Sequence, residues 1–313
     1  MSTKWNSKLL TMLMFSALSY SDRTGIAHAQ AVSTLTEAPH PDATPPASPC
    51  ESTSAPPATR QALRLVCLRE PLELSHPHVR KAIIIGFLGG FVKPDDLKRP
   101  EVLFATYLRG HYGPAAHIEM FGNHEAKKAL HDLVQQLDTN HDGRLSAAEK
   151  QQAEIILYGH SWGAARVVTF ARDLERLEIP VALTIQIDSV KKLLQNDHTI
   201  PANVENAVNF YQEHGLTPGQ PHIDAADVTR TKILGNFHMT YRDHRIKCDN
   251  YRWLSRHLNR GHHEIENDPH VWDYIASLIE SQLAGTTPDA VIESSREGQK
   301  IFTKPSPRGG VLF

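Results

Sequence analysis

The chain has 313 residues, 40% of them hydrophobic and 22% charged, enough to bury a full core. Thirty-three Lys and Arg against 35 Asp and Glu leave a formal charge of −2, which argues against a nucleic-acid binder held by phosphate neutralisation. Mean hydropathy is −0.37, and no apolar run approaches the roughly 20 residues of a bilayer span, so a polytopic membrane protein is excluded. Three cysteines, without zinc-site spacing, are too few for a disulfide-built miniprotein.

The N-terminus reads as a secretory signal over residues 1–29. Lys4 and Lys8 form its basic end, Leu9 to Tyr20 its apolar stretch, and Ala27-His28-Ala29 a small-x-small cleavage site. An uncleaved anchor is the alternative. A secreted or periplasmic location follows, without a transmembrane span after signal removal. Residues 30–61 carry Pro39, Pro41, Pro45, Pro46, Pro49, Pro56 and Pro57 among Ala, Ser and Thr. A segment so poor in large apolar residues predicts a disordered linker. The folded domain is expected over 62–283, followed by a flexible tail over 284–313. In an oxidising compartment a pair of cysteines would bridge, and Cys67 with Cys248 is the preferred pair because Cys50 lies in the linker.

Within the domain, apolar runs alternate with helical periods. Leu63–Leu68 suggests a strand, and the β-branched run Lys81–Phe87 predicts one covered on both faces. A short helix is expected over Glu101–Leu108, behind Pro100, then a strand over Ala116–Phe121. Apolar Ala129, Leu130, Leu133, Val134 and Leu137 fit a helix over 125–137. A strand over Glu154–Tyr158, a helix over Ala164–Leu177, a strand over Val181–Ile187 and a final helix over Val271–Leu283 complete the pattern. Lys191–Asp227, with the helical-looking stretch ANVENAVNFYQ, reads as a possible cap. Strands alternating with helices predict an α/β protein with a mostly parallel sheet.

Two motifs carry chemistry. Asp138-Thr-Asn-His-Asp-Gly-Arg-Leu-Ser-Ala-Ala-Glu149 matches a twelve-residue EF-hand loop. Asp138, Asn140 and Asp142 occupy positions 1, 3 and 5, Gly143 the turn, and Arg144 offers its carbonyl. Ser146 stands at position 9 and Glu149, at 12, is placed for bidentate binding. The expectation is a helix-loop-helix insertion holding a structural calcium ion just before the next strand. That strand runs into Gly159-His160-Ser161-Trp162-Gly163. A serine on a tight strand-to-helix turn projects its hydroxyl above a sheet, and flanking glycines let strand and helix approach closely.

The elbow GHSWG, with the glycine-rich turn GFLGG upstream and an acid and histidine downstream, resembles the α/β-hydrolase superfamily of esterases, lipases and thioesterases. YGHSWG together with HxEIxxDPxVW resembles, more narrowly, a group of secreted members carrying a calcium-loop insertion. The resemblance implies an α/β-hydrolase fold and a serine hydrolase acting on a small-molecule or lipid ester or thioester. It implies Ser161 as nucleophile and oxyanion donors from the amides of Trp162 and Leu88, with Phe87 the alternative to Leu88. An acid and then a histidine should follow in chain order. Asp188, leaving the strand 181–187 at its C-terminal end, is the first choice, with Asp243 and Asp249 as rivals. Among 19 histidines, HxEIxxDP points to His262 in the loop before the last helix, with His263 adjacent. Trp162, Phe87, Leu88 and Phe91 favour an apolar acyl group. The alternatives are a calcium-binding protein that keeps the fold without turnover, and an amidase or acyltransferase.

Overall fold

A computed structural model describes residues 81–286. The expected signal and linker, the expected tail beyond 286, the strand expected at Leu63–Leu68, Cys50 and Cys67 lie outside the described residues. The described residues open with β1 (Lys81–Leu88), α1 (Pro100–Tyr112), β2 (Ala116–Gly122) and α2 (Ala126–Leu137). It continues through α3 (Ala147–Gln151), β3 (Ala153–His160), α4 (Trp162–Arg176) and β4 (Val181–Ile187). The remainder is β5 (Thr199–Ile200), β6 (Val204–Tyr211), β7 (Asp224–Ala225), β8 (Lys232–His238), α5 (Trp253–Leu258), α6 (Arg260–Glu266) and α7 (Pro269–Leu283).

Among the described residues, six strands form one sheet in the order β2-β1-β3-β4-β6-β8, and every neighbouring pair is parallel. β5 and β7 form a separate two-stranded ribbon. Side-chain alternation divides the core. Ala82, Ile84 and Leu88 of β1 pack on the face covered by α1 and α7. Ile83, Ile85 and Phe87 pack on the opposite face, under α2 and α4. Burial on both faces explains the continuous apolar runs of the central strands. The chain leaves β1 for β2 on one side and returns to β3 on the other, so the C-terminal ends of β1 and β3 flank a switch point. In open parallel sheets that crevice is where ligands bind.

Several expectations need correction. The stretch ANVENAVNFYQ is strand β6, not a helix of a cap, and Lys191–Asp227 contributes β5, β6 and β7. Val204, Ala207 and Val208 mimic a helical period, but the segment is sandwiched between β4 and β8 and buried from Asn206 to Phe210. The sequence also leaves β8, α5 and α6 unassigned. His262 stands on α6 rather than in a loop. Phe87 and Leu88 are wholly buried core residues, so their side chains line no open surface for an acyl group. Cys248 is a free thiol rather than half of a bridge. Its Sγ donates to the Ile246 carbonyl at 3.5 Å, and burial pushes the thiol up to about 12.

Candidate active site

β3 delivers Ser161 into a tight turn that α4 continues. Ser161 has φ 57° and ψ −122°, a conformation costing about 1–3 kcal/mol for a residue with a side chain. The surroundings enforce it. Ser161 N–H donates to the Ile187 carbonyl at 3.0 Å, and its own carbonyl accepts from Val190 N–H at 3.2 Å. A Cβ on Gly159 would meet the Gly163 carbonyl carbon at 2.6 Å, and one on Gly163 would collide with the Phe87 carbonyl. Only glycine at both positions lets β1, β3 and α4 meet there.

Asp188 leaves β4 in a left-handed conformation, φ 47°, and is fully buried. Its Oδ1 accepts from Gln212 N–H at 3.0 Å, and its Oδ2 accepts from Gln212 Nε2 at 2.8 Å. α6 brings His262 between this carboxylate and the serine. His262 Nδ1–H donates to Asp188 Oδ2 at 2.6 Å. Because that oxygen only accepts, the other nitrogen is the base: Ser161 Oγ–H donates to His262 Nε2 at 2.9 Å. Residues 161, 188 and 262, from three separate elements, thus form one hydrogen-bonded line at the switch-point crevice. The line can deprotonate a hydroxyl while compensating the charge that appears on the imidazole.

The rivals stand elsewhere. His263 turns away, its ring stacked on Tyr251 at 3.5 Å between centroids and its Nε2 hydrogen-bonded to Ser255 Oγ at 2.8 Å. Burial lowers His263 to about 3, so it stays neutral. Asp249 pairs with Arg256 at 3.1 Å, and Asp243 is exposed. The rest of HxEIxxDP is structural. Glu264 pairs with Arg260 at 3.3 Å and Arg245 at 3.5 Å, Ile265 packs in the core, and Asp268 accepts from His270 N–H at 2.9 Å as the cap of α7.

Trp162 is the first residue of α4, half-buried beside the serine. Phe91, 79% exposed, meets its ring edge-on at 5.7 Å between centroids, and Lys192 Nζ lies 4.7 Å above the same ring. Leu88 closes β1 opposite Gly122. Asn123 Nδ2 donates to the Leu88 carbonyl at 3.2 Å and to the Gly90 carbonyl at 2.6 Å, fixing the turn. The neighbouring Gly89 is pressed against the nucleophile: a Cβ there would lie 3.2 Å from Ser161 Cβ. Gly89 N–H is already engaged, donating to Glu101 Oε1 at 3.1 Å. Sequence reasoning missed Gln212, Asn123, Glu101 and Glu266. None lies in a recognisable motif except Glu266, which follows His262 in GHHEIEN.

The loop 138–149 is built almost wholly from local bonds. Asp138 carboxylate oxygens accept from Asp142 N–H at 3.2 Å and Gly143 N–H at 3.0 Å, with Gly143 at φ 77°. Asn140 Oδ1 accepts from Asp142 N–H at 2.9 Å, and Asp142 Oδ1 from Arg144 N–H at 2.8 Å. Ser146 caps α3 in a reciprocal box with Glu149. Glu149 reaches back to Thr139 N–H at 3.0 Å, closing the loop, and these bonds hold it down to about 2. Its donors are all oxygens, which suits a hard cation. The carboxylates nevertheless serve the loop's own amides, and they are not among the described residues that converge as metal-ligand groups. The exit helix α3 spans only Ala147–Gln151 before β3 begins, so the helix-loop-helix is truncated.

No protein-family model matches the sequence, and no curated protein matches it. Among solved structures, that of an acetyl xylan esterase in an iodinated complex is similar at 9% identity with a TM-score of 0.30, over 65% of this chain and 99% of that one. A likeness so slight carries no argument. The α/β class rests on the six-stranded parallel sheet with helices on both faces.

Proposed function

We propose that this chain is a serine hydrolase of the α/β-hydrolase type, cleaving a carboxylic ester or thioester through an acyl-enzyme. The observation that carries the reading is the line from Ser161 Oγ through His262 to Asp188, at 2.9 and 2.6 Å, at a switch-point crevice. Ser161 Oγ attacks the acyl carbon as His262 Nε2 takes its proton. Asp188, held by Gln212, fixes the Nδ1–H tautomer and stabilises the imidazolium. The imidazolium returns the proton to the leaving alkoxide or thiolate. Water then repeats the sequence on the acyl-enzyme, releasing the acid. The amides of Trp162 and Leu88 hold the oxyanion. Gly89 is not a donor in this scheme because Glu101 occupies its N–H. Phe91 and Trp162, the apolar rings beside the nucleophile that reach solvent, favour an apolar acyl group.

Calcium at the 138–149 loop is part of the proposal. Asp138, Asn140, Asp142, Ser146 and Glu149 side chains with the Arg144 carbonyl would hold it, bracing the lead-in to β3. Its role is structural and no step of the reaction runs through it. Secretion, read from residues 1–29, completes the proposal.

A panel of p-nitrophenyl esters of increasing chain length, assayed with wild type and Ser161→Ala, tests the reaction. Turnover by wild type, lost in the variant and best with apolar acyl chains, is expected. Absence of turnover across the panel, or equal turnover by the variant, contradicts it.

A further inference from the structure

Behind the nucleophile lies a buried group of charged side chains that the proposed reaction does not use. Glu101 stands in the first turn of α1, His160 at the end of β3 and Glu266 at the end of α6, all 3% exposed or less. Their ligand atoms lie within 4.8 Å of one another. His160 Nδ1 is 3.6 Å from Glu101 Oε2 and 3.7 Å from Glu266 Oε2, while Arg99 Nη1 is 3.7 Å from Glu266 Oε1. These separations are too long for hydrogen bonds. Glu101 Oε2 and both oxygens of Glu266 accordingly find no N–H or O–H donor among the described residues. Buried carboxyl oxygens without donors are costly, and each of these carboxyls has an oxygen of the other within 4.8 Å.

We propose that Glu101 and Glu266 share a single proton, forming a carboxyl–carboxylate clamp that positions the Gly89 turn against the helix carrying His262. The clamp joins two parts of the site. Through Oε1, Glu101 holds Gly89, which faces Ser161 so closely that an added Cβ would lie 3.2 Å from the Ser161 Cβ. Glu266 shares α6 with His262, and the His160 ring lies tilted against the His262 ring at 4.6 Å between centroids. With one proton the pair carries a single negative charge, balanced by Arg99. Without it, two like charges would be in contact out of water. Burial raises both carboxyls above the ordinary value of 4.5, and it lowers His160, so the imidazole is neutral and does not supply the proton.

The groups facing the pair are Arg99, with Asp96 beside it, and His160 and His262. His263 acts on it through His160. Because the folded proton affinity is raised, the clamp's contribution is complete below pH 4.5 and is lost as pH rises through the raised value.

The inference rests on the hydrolase reading for its consequence, but its first readout does not need turnover. Infrared difference spectra of wild type minus Glu101→Gln at neutral pH should show a protonated-carboxyl band. Glutamine keeps an acceptor for Gly89 and gives Glu266 a permanent donor. The variant should therefore retain kcat within about threefold while losing the alkaline decline caused by the pair. Glu101→Ala, which removes both bonds, should lower kcat by about 10- to 100-fold at nearly constant KM. If it does not fold, Glu266→Gln supplies the second comparison and should behave as Glu101→Gln. No band, an unchanged alkaline limb in both glutamine variants, or a tightly bound divalent metal that Glu149→Gln keeps and Glu101→Gln loses would overturn the clamp. A band without any ester turnover would sink the hydrolase reading and leave the shared proton standing.

Discussion

The crevice around Ser161 and the loop over 138–149 are opposite solutions to holding polar groups in place. In the crevice, Ser161 and His262 are 101 positions apart, Asp188 and His262 are 74 apart, and all three are buried. Their order depends on the sheet bringing β3, β4 and α6 to one edge. In the loop, apart from the reach of Glu149 back to Thr139 and Asn140, the bonds span two to five positions and much of the segment is exposed. The first fails as a unit when one member is removed, whereas the second loses strength by increments.

Variants should separate the two regions, beginning with the largest effect. Ser161→Ala and His262→Ala should each lower kcat by about a millionfold, as expected when a nucleophile or its base is removed from a cooperative unit. The folding transition should hardly move. Asp188→Asn should cost about 10,000-fold, because an amide in place of the carboxylate favours the wrong imidazole tautomer. His263→Ala, measured beside them, should leave kcat within about threefold, since its ring faces Tyr251. A parallel loss in His263→Ala would break the distinction drawn between the two histidines.

The loop should answer in stability. Calcium at a hundred times its Kd adds about 2.7 kcal/mol, so chelation should lower Tm by about 5–10 °C. Glu149→Gln should remove that calcium dependence, and equal Tm with and without calcium in wild type would contradict the ion's proposed role. The acid response of the loop has a definite sign. Glu149 is lowered in the fold, so its contribution is present above pH 4.5 and is lost as pH falls toward about 2. A second acid response belongs to His263. Buried neutral and lowered to about 3, it contributes fully above pH 6.5 and loses that contribution as pH falls toward 3. His263→Gln should therefore give a shallower decline in Tm over that interval.

The same contrast explains what was readable in the sequence. The calcium-type loop, the glycines around Ser161 and the strands β1, β2, β3 and β4 are local patterns, and the chain displays them directly. β4 begins and ends where the apolar run VALTIQI does. The residue pattern of β6 points to a helix because its burial comes from strands on both sides, not from its own period. His262 was reachable through a motif, although α6 under it was not. Gln212, which holds Asp188, follows β6, so its place in the site depends on a strand the local pattern does not show. Glu101 looked like an ordinary acidic residue in a helix's first turn, and only the packing of α1 against the end of β1 reveals its bond to Gly89.

The most direct test of the central claim is intact-protein mass spectrometry after treatment with a fluorophosphonate, with the adduct mapped by peptide. The account requires one adduct per chain, on Ser161, forming rapidly in wild type and at least about 1,000-fold more slowly in His262→Ala. A folded wild-type protein that stays unmodified, or one modified equally fast without His262, would contradict it.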